Sequence, residues 1–255
     1  MIIELYKYSN LLRELVSRDI KKKYRRSLLG IFWSMLNPLL MMTITAMVFS
    51  QLFRFQIENY ILYLISGQIL FTFFSESTTF SMSSIIENGY LIKKVYVPKY
   101  IFPLSRVVSS NVNLLLTMPA LLVIKLYTTG TITLNIFLSI IPLFLLFIFC
   151  LGIGLILSVL AVFFRDIFHL YGVLLTAMSY ATPIFYPEDI IPQKFAWIVK
   201  YNPFYYYVKM FREIVYSNQI PELNFIILCA IISLITLFIG IFCYKKMQNQ
   251  FILYV

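Results

Sequence analysis

Long, uninterrupted apolar runs constrain this sequence more than any other feature. A helix needs about 20 predominantly apolar residues to cross the hydrocarbon core of a bilayer, and the chain contains several runs of that length. Only 13% of its residues are charged, whereas about 25% are charged in a typical soluble domain. Strands of a membrane barrel would instead alternate in ~10-residue segments. The sequence therefore predicts an all-α, polytopic membrane protein that forms one domain over residues 1–255.

The apolar runs predict six transmembrane helices and their orientation. The expected spans are about 29–53, 60–81, 107–127, 134–163, 167–186 and 223–244. Both termini then share one side of the membrane with the segment 83–106, and fifteen of the 21 Lys and Arg residues lie on that side. Because cytoplasmic loops are enriched in Lys and Arg, both termini are expected in the cytoplasm. The net charge of +10 does not indicate a nucleic-acid partner, since the cations flank the spans.

A basic block at residues 21–26 directly precedes the first apolar run. Apolar residues within 2–20 recur at helical spacing opposite charged ones, which predicts an amphipathic helix in the membrane interface. Residues 1–28 would thus form a cytoplasmic interfacial helix and a topological anchor that attracts anionic membrane lipids, at ~1 kcal/mol per cation. Asn37 and Pro38 predict a bend in the first span, which is either a simple kink or part of a pathway.

Catalytic and cofactor motifs are sparse in this chain. His169 is the single histidine, no G-x-x-x-x-G-K-[ST] sequence is present, and the three cysteines lack metal-ligand spacing. Neither a metal, another cofactor nor a phosphate-loop ATP site is therefore expected. Glu76 is the only carboxylate well inside a span, and we interpret it as a snorkelling or hydrogen-bonded interfacial acid. A proton or sodium relay would lack acids, so a transporter of this kind needs a partner that supplies energy.

Two cytoplasmic segments are candidates for contacts. Segment 83–106 mixes apolar and charged residues as a short docking helix would, although an ordinary solvated basic loop fits equally well. Its candidate docking residues for a partner that supplies energy are Ile86, Glu87, Tyr90, Leu91, Lys93 and Lys94. Arg165 and Asp166 mark a tight turn between the fourth and fifth spans. We expect this pair to hold the two spans together, in preference to contacting a partner.

The outer segment, 187–222, is dense in aromatic residues and punctuated by prolines. Its charges disfavour a further crossing, so short re-entrant or interfacial helices are expected. The rings fit an aromatic belt at the head-group level, and they equally suit sugar rings, because flat apolar faces let a polymer slide. Candidate residues of the substrate pathway are Phe32, Trp33, Asn37, Tyr180, Phe185 and Tyr186.

An ordered set of short motifs begins at the entry to the first span and extends over nearly the whole chain. The motifs are RDI at 18–20, KYRRSLLGIFWS at 23–34, NP at 37–38, LIKK at 91–94, FFRDI at 163–167, TPIFY at 182–186 and YNP at 201–203. This set resembles the ABC-2 type permeases that export polysaccharide, which are the membrane subunits of O-antigen, teichoic acid and capsule transporters.

This resemblance implies a permease homodimer, joined to two copies of a separate ATP-binding subunit and located in the bacterial cytoplasmic membrane. It implies a lipid-linked polysaccharide as substrate and no enzymatic activity of the chain itself. The resemblance also places the N-terminal helix at the cytoplasmic interface and couples the loop after span two to the ATPase. It makes the short outer helices a gate, whose candidate residues are Trp197, Tyr201 and Tyr205. Aromatic side chains along the channel are a further feature of that family.

Two other functions compete with polysaccharide export. An ABC-2 exporter of drugs or small lipids would share the six spans, but the chain has no large outer domain and its outer segment is dense in aromatics. A membrane glycosyltransferase would need acidic residues arranged for metal or sugar-phosphate chemistry. Glu188 and Asp189 are the only adjacent acids on the outer side.

Overall fold

The computed structural model of the chain describes residues 6–24, 27, 29–53 and 57–254. Arg25 and Arg26 of the basic block lie outside the described residues. Within these ranges the chain is helical or in turns, and no strand occurs. The α-helices are α1 Ser9–Tyr24, α2 Trp33–Phe53, α3 Tyr60–Glu87, α4 Gly89–Lys94, α5 Ile101–Thr129, α6 Ile140–Phe163, α7 Ile167–Ala181, α8 Ala196–Lys200, α9 Pro203–Val215, α10 Leu223–Met247 and α11 Phe251–Tyr254. The predicted all-α class is confirmed.

Three helical segments among the described residues are long and apolar enough to cross a membrane. They are Ile101–Thr129, Leu134–Phe163 and Leu223–Tyr254, the second of which includes a 3-10 turn ahead of α6. Shorter apolar helices occupy Trp33–Phe49 and Ile167–Ala181. Helix α3 is 28 residues long, and its apolar run is diluted by Glu76 and a series of Ser and Thr residues.

The segment 83–106 is mostly helical, and it contains α4, a short helix of the kind that was one of the two alternatives for it. Helix α3 continues to Glu87 and α5 already begins at Ile101. The Ser84 hydroxyl donates to the carbonyl of Ser81 in the preceding turn, so a polar side chain here leaves the helix intact. Pro103 lies in the first turn of α5, where its missing N–H leaves no helical hydrogen bond unmade.

Helix α7 ends at Ala181, five residues before the expected end of the fifth span. Pro183 explains this difference, because proline disfavours helical geometry at the residue before it and cannot donate a helical hydrogen bond. The residues that follow form turns, and the short helices Glu188–Ile190, Gln193–Phe195 and α8 lead into α9. Short helices are thus present in the segment 187–222.

The interior is built around α3, which packs against α5 and α6, while α6 packs tightly along α10. Gly152 of α6 and Gly240 of α10 face each other at that contact. A Cβ at Gly152 would lie 2.7 Å from the Thr236 carbonyl oxygen, and one at Gly240 would lie 2.5 Å from the Gly152 carbonyl oxygen. Side chains cannot fit at such distances, so the two glycines allow α6 and α10 to pack closely.

Candidate functional site

A cavity of about 290 Å³ lies where α2, α3 and α5 meet the end of α1. Trp33 and Asn37, two candidate pathway residues, line it next to Pro38. Phe32 precedes α2 in a 3-10 turn, is 72% exposed and is not part of the lining. The other lining residues are Lys23, Tyr24, Ser34, Met41, Gln68, Ile69, Thr72, Phe73, Glu76, Ser110, Asn113, Leu114 and Thr117.

The end of α1 closes one side of this cavity through two polar contacts. The Lys23 ammonium lies 3.0 and 3.1 Å from the two carboxylate oxygens of Glu76. The Tyr24 hydroxyl donates to the side-chain oxygen of Asn113 over 3.2 Å. An exposed ion pair contributes only about 0–1 kcal/mol, so these contacts position α1 more than they stabilise the fold. Glu76 is hydrogen-bonded, as one of the two interpretations of this acid predicted.

The remaining pathway candidates form a second cluster, at the other end of α2. Phe185 stacks on Phe49 of α2 with 5.3 Å between ring centroids and lies 6.4 Å from the Tyr180 ring. The Tyr186 hydroxyl donates to the Tyr180 carbonyl. Phe49 follows Trp33 by sixteen residues, which is about 24 Å along a helix. The candidates therefore lie in two groups on opposite ends of one helix.

The backbone after α7 is irregular, and side chains from α3 and α9 satisfy its carbonyl groups. Arg212, which is buried, donates to the carbonyls of Pro183 over 2.5 Å and of Ile184 over 3.0 Å. The Tyr63 hydroxyl donates to the carbonyls of Pro183 and Tyr186. Such backbone is tolerated at membrane depth only where protein groups satisfy it. From the sequence alone, Arg212 was only one of the charges that disfavour a further membrane crossing by the outer segment. Its hydrogen-bond partners lie far away along the chain.

Lys125 is likewise held inside the protein. Its ammonium donates over 2.7 Å to the Val215 carbonyl at the end of α9 and over 2.5 Å to the side-chain oxygen of Asn218. The side chain is fully buried and does not reach the protein surface. Its charge instead ties α5 to the outer segment.

The predicted gate residues differ in their surroundings. Trp197 and Tyr201 are exposed, whereas Tyr205 is buried and donates from its hydroxyl to Glu188 over 2.7 Å. Lys209 lies 3.8 Å from the same carboxylate and 5.7 Å from the centroid of the Tyr205 ring. Tyr205 thus belongs to the packing of α9, while the two exposed rings remain available for contacts.

The coupling candidates lie on the end of α3 and on α4, a short helix of the kind expected there. Tyr90, Lys93 and Lys94 are exposed. Ile86 and Leu91 are half-buried and pack against buried residues of their own chain. Their substitution would therefore report on folding as well as on docking.

The most exposed ring beside α4 was not among the candidates. Tyr96 is 96% exposed and follows the exposed Val95. The nearby Lys99 ammonium donates to the Gln248 carbonyl over 2.6 Å, and burial lowers the pKa of this ammonium. The segment between α4 and α5 is thereby fastened to the end of α10.

A charge network joins α1 to this coupling region. Arg106 of α5 lies 3.2 Å from Asp19 of α1 and also bonds Glu87 at the end of α3. Arg18 donates to the Asn88 side chain over 3.2 Å. The network was missed by sequence reasoning, although Arg18 and Asp19 stand in one of the recognised motifs.

Arg165 and Asp166 occupy the predicted tight turn between α6 and α7. Both side chains are exposed, and within the described ranges neither forms an ion pair. The Asp166 carbonyl accepts from the amides of His169 and Leu170 at 3.1 Å and starts α7. The turn is therefore held by its backbone, and a role of these side chains in joining the spans stays a prediction.

Comparison with known proteins identifies the family. A sequence model described as ABC-2 type transporter matches residues 10–216. The chain belongs to the ABC-2 type transporter family. It is 34% identical to an O-antigen export system permease protein RfbA of Klebsiella pneumoniae over 95% of this chain and 93% of the relative. It is 29% identical to the protein of the same name from Myxococcus xanthus, over 98% and 97%.

A more distant relative is the polysialic acid transport protein KpsM of Escherichia coli, with 26% identity over 91% of each chain. The predicted family resemblance is confirmed. The chain is therefore a permease, the multi-pass membrane subunit of a transporter.

Proposed function

We propose that this permease exports a lipid-linked polysaccharide, of the O-antigen, teichoic acid or capsule type, across the bacterial cytoplasmic membrane. The similarity to O-antigen export permeases over 95% of the chain carries this proposal. A separate ATP-binding subunit supplies the energy, and the permease itself performs no chemistry. The aromatic and polar cavity beside Trp33 supports a substrate rich in hydroxyl groups.

The proposed topology has six spans, α2, α3, α5, α6, α7 and α10, with both termini in the cytoplasm. Helix α3 is 28 residues long, or about 42 Å, which exceeds the ~30 Å hydrocarbon core. Its polar residues are tolerated because most of the helix is buried among other helices. Helix α7 has 15 residues, or about 22 Å, so the turns after Ala181 complete its crossing.

The homodimer is proposed from the surface of α7. Tyr171 is the one buried residue of this helix. His169, Thr176 and Tyr180 are exposed and follow one face at helical spacing. Polar side chains inside a membrane seldom face lipid. A second copy, with a water-filled pathway between the two, would give this face a polar surrounding.

The ATP-binding subunits, two for each dimer, dock on α4 and the exposed residues after it. Tyr90 and Tyr96 offer aromatic surface there, and Lys93 and Lys94 offer positive charge. The charge network of Asp19 and Arg106 then connects the docking region to α1. This arrangement supports the role of residues 83–106 as the coupling segment.

The competing functions receive less support. Glu188 accepts a hydrogen bond from Tyr205 and lies near Lys209, so this acid has a packing role instead of the free carboxylate that a glycosyltransferase needs. An exporter of drugs or small lipids would have no evident use for the exposed outer rings of Trp197 and Tyr201, which we assign to the gate.

Reconstitution tests the proposal. Proteoliposomes that contain the permease and the ATP-binding subunit of its native host should deliver lipid-linked polymer across the bilayer only with ATP. A complex whose ATP-binding subunit lacks its catalytic acid serves as control. ATP-driven movement of dyes or short lipids, with no movement of polymer, would favour the competing exporter.

A further inference from the structure

Two side chains that line the cavity beside Trp33 have polar atoms without a protein partner. Oε1 of Gln68 and Oγ of Ser110 are buried, and no described residue forms a hydrogen bond with either. Native proteins leave few buried polar atoms unsatisfied. A ligand that donates to an amide oxygen and contacts a serine hydroxyl would satisfy both.

The size and charge of the cavity narrow the chemistry of such a ligand. A volume of about 290 Å³ stands at the lower end of the ~300–1,000 Å³ range of small-molecule sites, so one small group fits. Lys23 and Glu76, the two charged residues of the lining, pair with each other, and a phosphate would have to break that pair. The lining therefore favours a neutral group.

The remaining lining residues match a sugar ring. Asn37 and Asn113 provide amides, and Trp33 and Phe73 provide flat apolar faces, which pack against the C–H faces of a sugar. The Glu76 carboxylate has lone pairs beyond those that Lys23 uses, and these can accept from sugar hydroxyls.

We propose that this cavity binds one sugar ring of the lipid-linked polymer, close to its carrier lipid, before the polymer enters the pathway. The inference rests on the proposed function and adds a binding site within a single permease chain. Gln68 accepts a sugar hydroxyl, Ser110 supplies a second hydrogen bond, and Trp33 covers the ring.

Trp33 itself reports on occupancy, because the chain contains two tryptophans. The full-length permease with Trp197→Phe, in nanodiscs of neutral phosphatidylcholine, leaves Trp33 as the only fluorophore of its kind. Octyl glucoside, added below its micelle concentration, should change the Trp33 emission with saturation. An octyl ether with a short ethylene glycol head group has the same alkyl chain without a sugar, and it should give no saturable change.

Substitution at Gln68 tests the site directly. Gln68→Leu should weaken glucoside binding about tenfold, the effect expected for the loss of one buried hydrogen bond. Thermal stability should not fall, since an apolar group replaces an unsatisfied oxygen. Asn224→Leu, at an exposed amide in the first turn of α10, is the matched control. Ser110→Ala, which removes a single hydroxyl, is the second probe if Gln68→Leu folds poorly.

Several results would overturn the proposal. They are equal responses to the glucoside and the ether, unchanged binding in both cavity variants, and a Trp33 response to phosphatidylglycerol but not to the glucoside. The last would assign the cavity to an anionic head group instead.

Export measurements separate this inference from the proposed function. Polymer export by Gln68→Leu should fall at unchanged protein level, and normal export despite lost binding would overturn the assignment to the exported substrate. Failure of the unmodified complex to move polymer would instead refute the proposed function. Normal polymer export would refute the sugar site, but not the proposed function, if the glucoside changed Trp33 fluorescence neither with the unmodified cavity nor in either cavity variant.

Discussion

Arg212 brings a positive charge into the interior of the protein, where backbone carbonyls surround its guanidinium. The guanidinium carbon lies 3.6 Å from the centroid of the Tyr63 ring, so the cation also rests on an aromatic face. Gly67 lies one turn further along α3, and a Cβ there would approach Nη2 of Arg212 to 2.6 Å. The absence of a side chain at Gly67 therefore makes room for the arginine.

We predict that loss of this cation loosens the outer segment. In Arg212→Met the Ile184 carbonyl loses its donor, and an orphaned buried acceptor costs about 1–3 kcal/mol. The melting temperature in detergent should fall, and Arg212→Lys should recover only part of it, because an ammonium lacks the planar fork. Lys200→Met, at an exposed cation of the same segment, should leave the melting temperature unchanged.

Gly67→Ala provides an independent check of the same contact. The added methyl group should displace the guanidinium and lower stability as Arg212→Met does, and the double variant should lose less than the sum of both. Gly172→Ala, where a Cβ meets no atom within 4 Å, is the control. Additive losses at residues 67 and 212 would show that the two substitutions act separately.

Residues could be identified from the sequence where their position in the chain was informative by itself. Residues whose role depends on contacts with groups distant in the sequence could not. Trp33 and Asn37 were recognised from their place between a basic block and a proline, and both line the cavity. Arg212 and Arg106 were missed as site residues, because each acquires its role from groups that only the folded chain brings near. The pairing of charged groups across helices has no local signal in a single sequence.

At the scale of elements, the position of most helices followed from the apolar runs, while their ends followed from hydrogen bonding. Ser and Thr hydroxyls donate to carbonyls within α3, so the polar stretch after residue 81 does not end the helix. Pro183 does end α7. Polarity was thus a poor guide to where a buried helix stops. Proline ends α7, whereas Pro38 and Pro119 lie inside α2 and α5.

Helix α4 and the residues after it supply the prediction at this scale. Tyr96→Asp should weaken assembly with the ATP-binding subunit, since a carboxylate buried at that interface without a partner costs several kcal/mol. Tyr96 has almost no contacts to lose in its own chain, so the melting temperature of the isolated permease should remain unchanged. Co-purification and ATP-dependent export measure the effect.

Tyr127→Asp is the matched control for Tyr96→Asp, because Tyr127 is 89% exposed near the opposite end of α5. Ile86→Asp and Leu91→Asp should differ from both, with loss of stability before any loss of docking, because these side chains pack internally. Normal assembly of Tyr96→Asp would remove the ring from the coupling surface.

At the scale of the whole molecule, two helices have large exposed faces that differ in polarity. The exposed face of α10 is apolar along its length, with Ile231, Leu234 and Phe238 as examples, which suits contact with lipid chains. The exposed surface of α7 carries the polar side chains of His169, Thr176 and Tyr180 along one face, together with the apolar Leu170, Val173 and Leu174. Both faces are uncovered in a single chain. Because they differ in the polarity of their exposed side chains, they suit different surroundings.

This contrast leads to a cross-linking prediction for the permease in its membrane. Val173 lies on the polar face of α7 and is 70% exposed, whereas Phe238 on α10 is 73% exposed. In a background with Cys243→Ala, the remaining cysteines at 150 and 229 are buried. Val173→Cys should then give a cross-linked dimer with bifunctional maleimides, because equivalent residues of two copies approach each other near a two-fold axis.

Phe238→Cys is the control for this experiment, since its equal exposure gives the same chance of random collision in the bilayer. Its cross-linked fraction should stay at the background level, and a monofunctional maleimide should label both cysteines. A longer spacer should be needed at residue 173 if a water-filled pathway separates the two α7 helices. Cross-linking through residue 238 but not through residue 173 would place α10 at the interface of the dimer, and the polar face of α7 would then need another explanation.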